Sequence, residues 1–213
     1  MSSLKPLIGI TTRIINAPNY DEKRDAFSHD LINFLEKLDF SPIIIPNTIS
    51  KISEFLDQFP ISGFILSGGD NIGDSPERDK TEKDILKYAT KKNLFVFGIC
   101  RGMQVINNFF GGTISKNDTN SHLNIKHSLN ISTERIKNFF SDNEIIVNSY
   151  HNNIINSTNL ANDLIPFAIH KDNTIEGFFH DTFPIYAVMW HPERDSSDNS
   201  LSLIKKIFAQ NID

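Results

Sequence analysis

One cysteine occurs in the chain, and it stands between two glycines in FGICRGMQVIN, residues 97–107. The stretch Gly98-Ile99-Cys100-Arg101-Gly102 has the spacing of a nucleophile elbow with sulfur in place of a hydroxyl. A nucleophile on a tight strand-to-helix turn sits in strained backbone, so the residues two before and two after it must be small enough for neighbouring chain to pass. The following segment, RGMQVINNFFGG, reads as a helix with Met103, Ile106 and Phe110 on one side and a stop at Gly111 and Gly112. Cys100 is therefore expected at a helix N-terminus, where N–H groups without intrahelical acceptors favour the thiolate. The backbone N–H of Arg101 is then placed to face an oxyanion. A buried, inert cysteine at a strand end is the competing reading, and the spacing alone does not choose between them.

A thiolate nucleophile needs an acid/base partner oriented by a third group. Late in the chain, AVMWHPER supplies His191 and Glu193 with Pro192 between them. In extended backbone, residues i and i+2 project to one side, and proline holds that extension, so Glu193 is expected to reach the imidazole and set its tautomer. The chain has seven histidines, and a lone histidine is usually solvated or simply buried. His191 is set apart by a carboxylate at i+2 together with the aromatic-rich strand that precedes it; His151, in VNSYHNN, has no carboxylate there. The third piece is SGG at residues 67–69. Two glycines after an apolar run let a backbone N–H approach a ligand closely, as an oxyanion hole requires. Taken alone, the same motif is as well explained by a turn.

These groups must be carried by elements that end near one another. LIGIT (7–11), PIIIP (42–46), GFILS (63–67) and LFVFGI (94–99) are short apolar runs suited to strands covered on both faces. Between them, RDAFSHDLINFLEKL (24–38) spaces Phe27, Leu31, Phe34, Leu35 and Leu38 as a helix does, and TEKDILKYATKK (81–92) carries a thinner apolar stripe. The alternation predicts an α/β fold: a mostly parallel central sheet flanked by helices. EIIVNSY, PFAIH, TIEGFFH and IYAVMW, followed by a helix in SLSLIKKIFAQ, predict a small antiparallel extension of that sheet. In open α/β sheets, sites form outside the carboxyl ends of the strands. Arg13, SGGDN and Cys100 all follow candidate strand ends.

A chain of 213 residues without a visible linker or repeat is expected to form one domain, residues 1–213. The lone cysteine excludes an intramolecular disulfide. No run approaches the roughly 18 apolar residues needed to span a bilayer, and the start lacks a leader pattern, so a cytoplasmic location is expected. The formal charge of −5 is without a basic stripe, which argues against nucleic acid as a partner. The sequons at 117–119 and 130–132 follow from the asparagine-rich composition and carry no weight.

Together GIT near the start, SGGDN (67–71), GICRGMQVIN (98–107), GGT (111–113), VNSYHNN (147–153), IEGF (175–178) and WHPER (190–194) resemble the class I glutamine amidotransferase-like superfamily. Within it the chain looks like the gamma-glutamyl hydrolases grouped as peptidase family C26. The motifs run in the family's order and cover nearly the whole chain. The resemblance implies a flavodoxin-like fold with Cys100 as nucleophile, His191 as acid/base and Glu193 as its orienter. It also implies that Gly69 and Arg101 supply oxyanion-hole N–H groups, and that Gln104, Ser149 and Tyr150 hold the glutamyl moiety, partly through backbone.

The implied activity is hydrolysis of a γ-glutamyl amide through a glutamyl thioester, with no metal and no organic cofactor. The partner is a small γ-glutamyl substrate; no nucleic acid or membrane is implied, and a homodimer is allowed. Candidate substrates are γ-glutamyl-CDP-amidate, as in capsule phosphoramidate synthesis, and γ-glutamyl-γ-aminobutyrate. For an anionic leaving group, Arg13 and Arg194 are candidate ligands, with a surface ion pair as the alternative for each. The rival activity within the superfamily is a glutaminase chain that passes ammonia to a separate synthetase. A non-catalytic member is disfavoured by the intact Cys100, His191 and Glu193. A cysteine-based α/β-hydrolase is disfavoured because the acid here follows the histidine.

Overall fold

A computed structural model describes residues 4–117, 122–137, 144–194 and 198–212, with backbone only for 198–200. In chain order its strands are β1 (Leu7–Thr11), β2 (Arg13–Asn16), β3 (Lys23–Ala26), β4 (Ser41–Ile45), β5 (Ile61–Leu66), β6 (Phe95–Ile99), β7 (Ser115–Lys116), β8 (Leu123–Ile131), β9 (Glu144–Tyr150), β10 (Asn153–Ile154), β11 (Leu164–His170), β12 (Ile175–His180) and β13 (Ile185–Val188). The helices are α1 (His29–Lys37), α2 (Ile52–Leu56), α3 (Pro76–Lys92), α4 (Arg101–Phe109), α5 (Glu134–Lys137) and α6 (Asp198–Asn211).

Nine strands form one sheet in the order β4-β1-β5-β6-β13-β12-β11-β8-β9. The strands from β4 to β13 are mutually parallel. From β13 onward every pairing is antiparallel, so the antiparallel extension continues the same sheet. The expected α/β architecture is observed. β6 is buried at every residue, as a central parallel strand covered by helices on both faces must be. Two small ribbons, β2–β3 and β7–β10, lie apart from the main sheet.

Three local expectations are corrected. The first helix does not reach back to Arg24 and Phe27: residues 23–26 pair with 13–16 as a hairpin, and the helix starts at His29 because the Ser28 hydroxyl caps it by accepting from the Asp30 N–H at 3.2 Å. Phe27 is exposed, so its fit to the apolar stripe is incidental. Helix α3, expected from Thr81, begins at Pro76, five residues earlier. Its apolar stripe is thin because Arg78 and Glu82 occupy part of the inward face. The third correction is β8, which the apolar patterning does not show. Only its second half alternates, with His127, Leu129 and Ile131 inward. The sequon at Asn117 runs into residues outside those described. Among the described residues no helix is long and apolar enough to cross a membrane.

Candidate active site

The parallel pairing of β6 with β13 aligns Ile99 with Val188. The two chain segments therefore leave the sheet side by side at its carboxyl end, one carrying Cys100 and the other His191. Cys100 N–H donates to the Val188 carbonyl at 2.8 Å, which ties the turn to the neighbouring strand. Cys100 adopts φ 51°, ψ −102°, a conformation that non-glycine residues rarely adopt and that is stored where surroundings over-determine it.

The flanking glycines explain how. A Cβ at Gly98 would lie 2.7 Å from Ile106 Cδ1, and one at Gly102 would collide with the Leu66 carbonyl oxygen. The elbow spacing is thus a packing requirement between β5, β6 and α4. Helix α4 starts at Arg101, whose N–H, as the first of the helix, has no intrahelical acceptor.

His191 Nδ1 meets Glu193 Oε1 at 2.7 Å, leaving Nε2 for the sulfur. Glu193 belongs to a short 3-10 turn, Pro192–Arg194, so the proline closes a turn here instead of extending the strand. The expected contact forms by a different backbone route. Burial alone would raise the Cys100 thiol, but the hydrogen bond and charge of His191, with His151 adding to them, pull it below its ordinary value. Burial alone would lower His191; its bonds to Cys100 and Glu193 outweigh that and raise it to about 9. Each shift favours the charged form of its group, thiolate on Cys100 and imidazolium on His191. Cys100 is buried beside His191.

The loop after β5 closes the other side. A Cβ on Gly68 would sit 2.8 Å from His191 Cε1 and 3.7 Å from Cys100 Cβ, so Gly68 is the close-approach residue. Gly69 follows at φ +147°, with Arg78 and Arg13 packed against it. Sequence reading singles out Gly69 for its N–H and passes over the Gly68 contact. Arg78, buried, donates to the carbonyls of Ser67 and Gly68 at 2.8 and 3.1 Å and to Glu82 at 3.0 Å. Arg101 forms ion pairs with Glu82 and Asp79, and Thr11 Oγ1 donates to Glu82 at 2.9 Å. Glu82 thereby locks the glycine loop and the start of α4 to one carboxylate. Neither Arg78 nor Glu82 was picked out from sequence; two charged residues on the inward face of an amphipathic helix are the signal that could have found them.

Asn148 was also missed as an individual residue. Buried on β9, it accepts from the His191 N–H and donates to the His191 carbonyl, each at 2.8 Å. Gln104 is buried, facing Met189 Sδ at 3.7 Å and Asn153 Nδ2 at 3.3 Å; Asn153 also reaches Asn71 at 3.0 Å. Ser149 is buried and its hydroxyl donates to the His122 carbonyl. Tyr150 is exposed, edge-on to His191 with centroids 5.7 Å apart, and the Arg194 guanidinium lies 5.5 Å from the centre of the same ring. Arg13 donates to the Gly68 carbonyl at 3.3 Å. Arg13, Arg194, Ser67, Gly68 and Glu193 line one small cavity, so the two arginines singled out from sequence come together beside Glu193. His151 has no carboxylate at i+2; its Nε2 faces the buried Glu176 at 3.3 Å. Burial alone would lower His151, and the charge of Glu176 raises it instead.

Residues 6–193 match the Peptidase C26 family. The chain belongs to that family. Along nearly its whole extent this C26-family chain is similar to gamma-glutamyl-CDP-amidate hydrolase of Campylobacter jejuni, at 33% identity over 209 residues, covering 95% of this chain and 97% of the relative. It is 34% identical over 174 residues to a glutamine-hydrolysing GMP synthase chain of Thermoplasma acidophilum, covering 78% of each. Among solved structures, a GMP synthase component of Thermoplasma acidophilum superposes with TM-score 0.74 at 26% identity, over 96% of this chain and 93% of that one. The C26 assignment and the observed sheet order agree on a class I glutamine amidotransferase fold.

Proposed function

We propose that the chain is a cysteine-dependent hydrolase of γ-glutamyl amides, with γ-glutamyl-CDP-amidate as its substrate. The observation that carries this reading is Cys100 in strained backbone at the start of α4, paired with a His191 that Glu193 holds at 2.7 Å. The electrostatics of that pair support it, since His191 pulls the Cys100 thiol below its ordinary value while Cys100 and Glu193 raise His191 to about 9.

In this mechanism the Cys100 thiolate attacks the γ-carbonyl carbon. Negative charge develops on the carbonyl oxygen and is met by the N–H groups of Gly69 and Arg101; one such donor is typically worth about 100- to 1000-fold in rate. The C–N bond breaks as imidazolium His191 gives its proton to the departing nitrogen. A glutamyl thioester remains on Cys100. Neutral His191 then takes a proton from water, which attacks the thioester and releases glutamate and the thiolate. Gln104, Asn153 and the Ser149–Tyr150 backbone grip the glutamyl end, and the amine side leaves past Arg13 and Arg194. Those two guanidiniums suit a phosphate-bearing leaving group, which favours the nucleotide conjugate over γ-glutamyl-γ-aminobutyrate. With that substrate the second product is the nucleotide phosphoramidate. The activity of the Campylobacter relative supports the same choice.

The likeness to a GMP synthase chain favours one rival, a glutaminase that supplies ammonia to a separate synthetase. Glutamate release from glutamine, γ-glutamyl-γ-aminobutyrate and γ-glutamyl-CDP-amidate, with Cys100→Ala as blank, separates the readings. The proposal expects rapid cleavage of the nucleotide conjugate, poor use of glutamine and a dead variant. Glutaminase activity that appears only with a partner chain would overturn it.

A further inference from the structure

Four histidines and two carboxylates cluster in the antiparallel extension. Hydrolysis at Cys100 uses none of His122, His127 or His170. All three are buried, and each can offer one ring nitrogen such that the three nitrogens lie within 4.8 Å of one another. Their sources in the chain are separate: His122 immediately precedes β8, His127 is on β8, and His170 ends β11. The register sets His170 opposite Leu129, two residues from His127, so the sheet itself brings these rings to one place.

What singles the cluster out is its unmet hydrogen-bonding capacity. Both nitrogens of His127, Nδ1 of His122 and Nδ1 of His170 are buried without a hydrogen-bond partner, although Glu176 lies 3.6 Å from His122 Nδ1 and 3.8 Å from His127 Nε2. Buried polar groups without partners are uncommon because each costs free energy, and they call for an explanation. Asp172 adds the second observation. Its Oδ2 meets His122 Nε2 at 2.8 Å and its Oδ1 meets His170 Nδ1 at 2.8 Å. One carboxylate thus lies against one nitrogen on each of two rings, hydrogen-bonded to His122 and ion-paired with His170, leaving His122 Nδ1 and His170 Nε2 for another partner. That is the arrangement by which a carboxylate orients metal-binding imidazoles and raises their basicity.

We propose that His122, His127 and His170 bind a divalent transition metal ion of the zinc type, with Asp172 orienting His122 and His170. Three imidazoles suit zinc, and closing the trio modestly would reach the roughly 2.0–2.1 Å expected for Zn–N bonds. The neighbouring set His122, His151 and Glu176 is geometrically near enough as well, but only in the trio does Asp172 lie against two of the rings. In the other set the Nδ1 of His151 lies 2.9 Å from the Asn153 carbonyl and its Nε2 lies 3.3 Å from Glu176. A groove lined by Ser128, Glu144, His127, His170 and Asp172, rimmed by Lys126 and Lys171, gives access from solvent. An ion at the proposed place would tie residue 122 to β8 and β11. It would brace β9 indirectly, because the His122 carbonyl accepts from the Ser149 hydroxyl and from the His151 N–H. Its role is structural, adjoining the site without entering the reaction.

The test uses the untagged full chain, stripped of metal by chelator and titrated with Zn2+, with bound metal counted by elemental analysis. One ion per chain and a rise in Tm with Zn2+ are expected. Co2+ in its place should give the visible absorption of a four-coordinate site. His127→Ala with His170→Ala should lose uptake and the cobalt spectrum while keeping the far-ultraviolet circular dichroism. Asp172→Asn, at a partly exposed position where folding is secure, should weaken binding about 10- to 100-fold. The proposal fails if the stripped protein takes up no zinc, if Asp172→Asn binds as tightly as the parent, or if uptake survives the double histidine substitution. It fails equally if uptake disappears in Cys100→Ser but persists in the histidine variants, which would put the ion on the thiolate.

Discussion

Cys100 and His191 sit together in a buried place where each favours the charged form of the other, and that has a measurable consequence. On the acid side, kcat/KM should rise as the Cys100 thiol loses its proton, below the pH usual for a thiol. On the alkaline side it should fall as imidazolium His191 loses its proton near pH 9. Burial opposes the imidazolium, and the bonds to Cys100 and Glu193 sustain it. Glu193→Gln removes one of those charges, so the alkaline limb should move to lower pH and kcat should drop by about 100- to 10,000-fold. An unmoved limb would remove Glu193 from its assigned role. Asn148 acts through His191 backbone alone. Asn148→Ala leaves the buried His191 N–H unpaired, while the His191 carbonyl keeps the Arg194 N–H at 3.1 Å, and should cost about 1–3 kcal/mol in urea unfolding. It should lower kcat with little change in KM, since the glutamyl grip is elsewhere.

Helix α3 contributes through charge more than through apolar contact. Glu82 lies between Arg78 and Arg101, with Thr11 as a further donor, and every one of these side chains is buried. Breaking such a group by removing one partner leaves uncompensated charge, an effect of about 3–5 kcal/mol. Glu82→Gln should therefore lower the urea midpoint strongly and loosen the Ser67-Gly68 loop, slowing hydrolysis even under conditions where the chain stays folded. Gly102→Ala tests the elbow in the same assay. Its new methyl would be driven into the Leu66 carbonyl, so the variant should be poorly folded or should shift α4 and lose activity. A stable, active Gly102→Ala protein would show that the close approach of α4 to β5 is dispensable.

For the molecule as a whole, the net charge of −5 repels an anionic substrate at long range. Arg13 and Arg194 must offset that locally. Local attraction between charges weakens as salt shortens the screening length, about 10 Å at 0.1 M. Accordingly kcat/KM for the nucleotide conjugate should fall with added salt while that for glutamine stays nearly flat. Arg194→Ala should raise KM for the conjugate and leave glutamine unaffected. Equal salt dependence for both substrates would argue that the arginine cavity does not receive the leaving group.

The contact between His191 and Glu193 and the tight turn at Cys100 were legible because each sits in a local pattern with a steric or chemical reason: small residues around Cys100, and a carboxylate two residues after His191. The parallel half of the sheet was legible for a similar reason, since doubly covered strands are continuous apolar runs. Strand β8 was not, because half of it faces solvent and its buried residues include His127. The hairpin before α1 was hidden by a stripe that happened to extend through Phe27. Arg78, Glu82 and Asn148 could not be assigned from spacing, because their value depends on partners distant in sequence. The histidine cluster is the clearest case: residues 122, 127 and 170 share no local motif, and only strand register brings their nitrogens together. Local sequence determined which groups are reactive and the conformations they need. Tertiary structure decided which distant charges, amides and imidazoles meet them, because those contacts form only when the sheet closes.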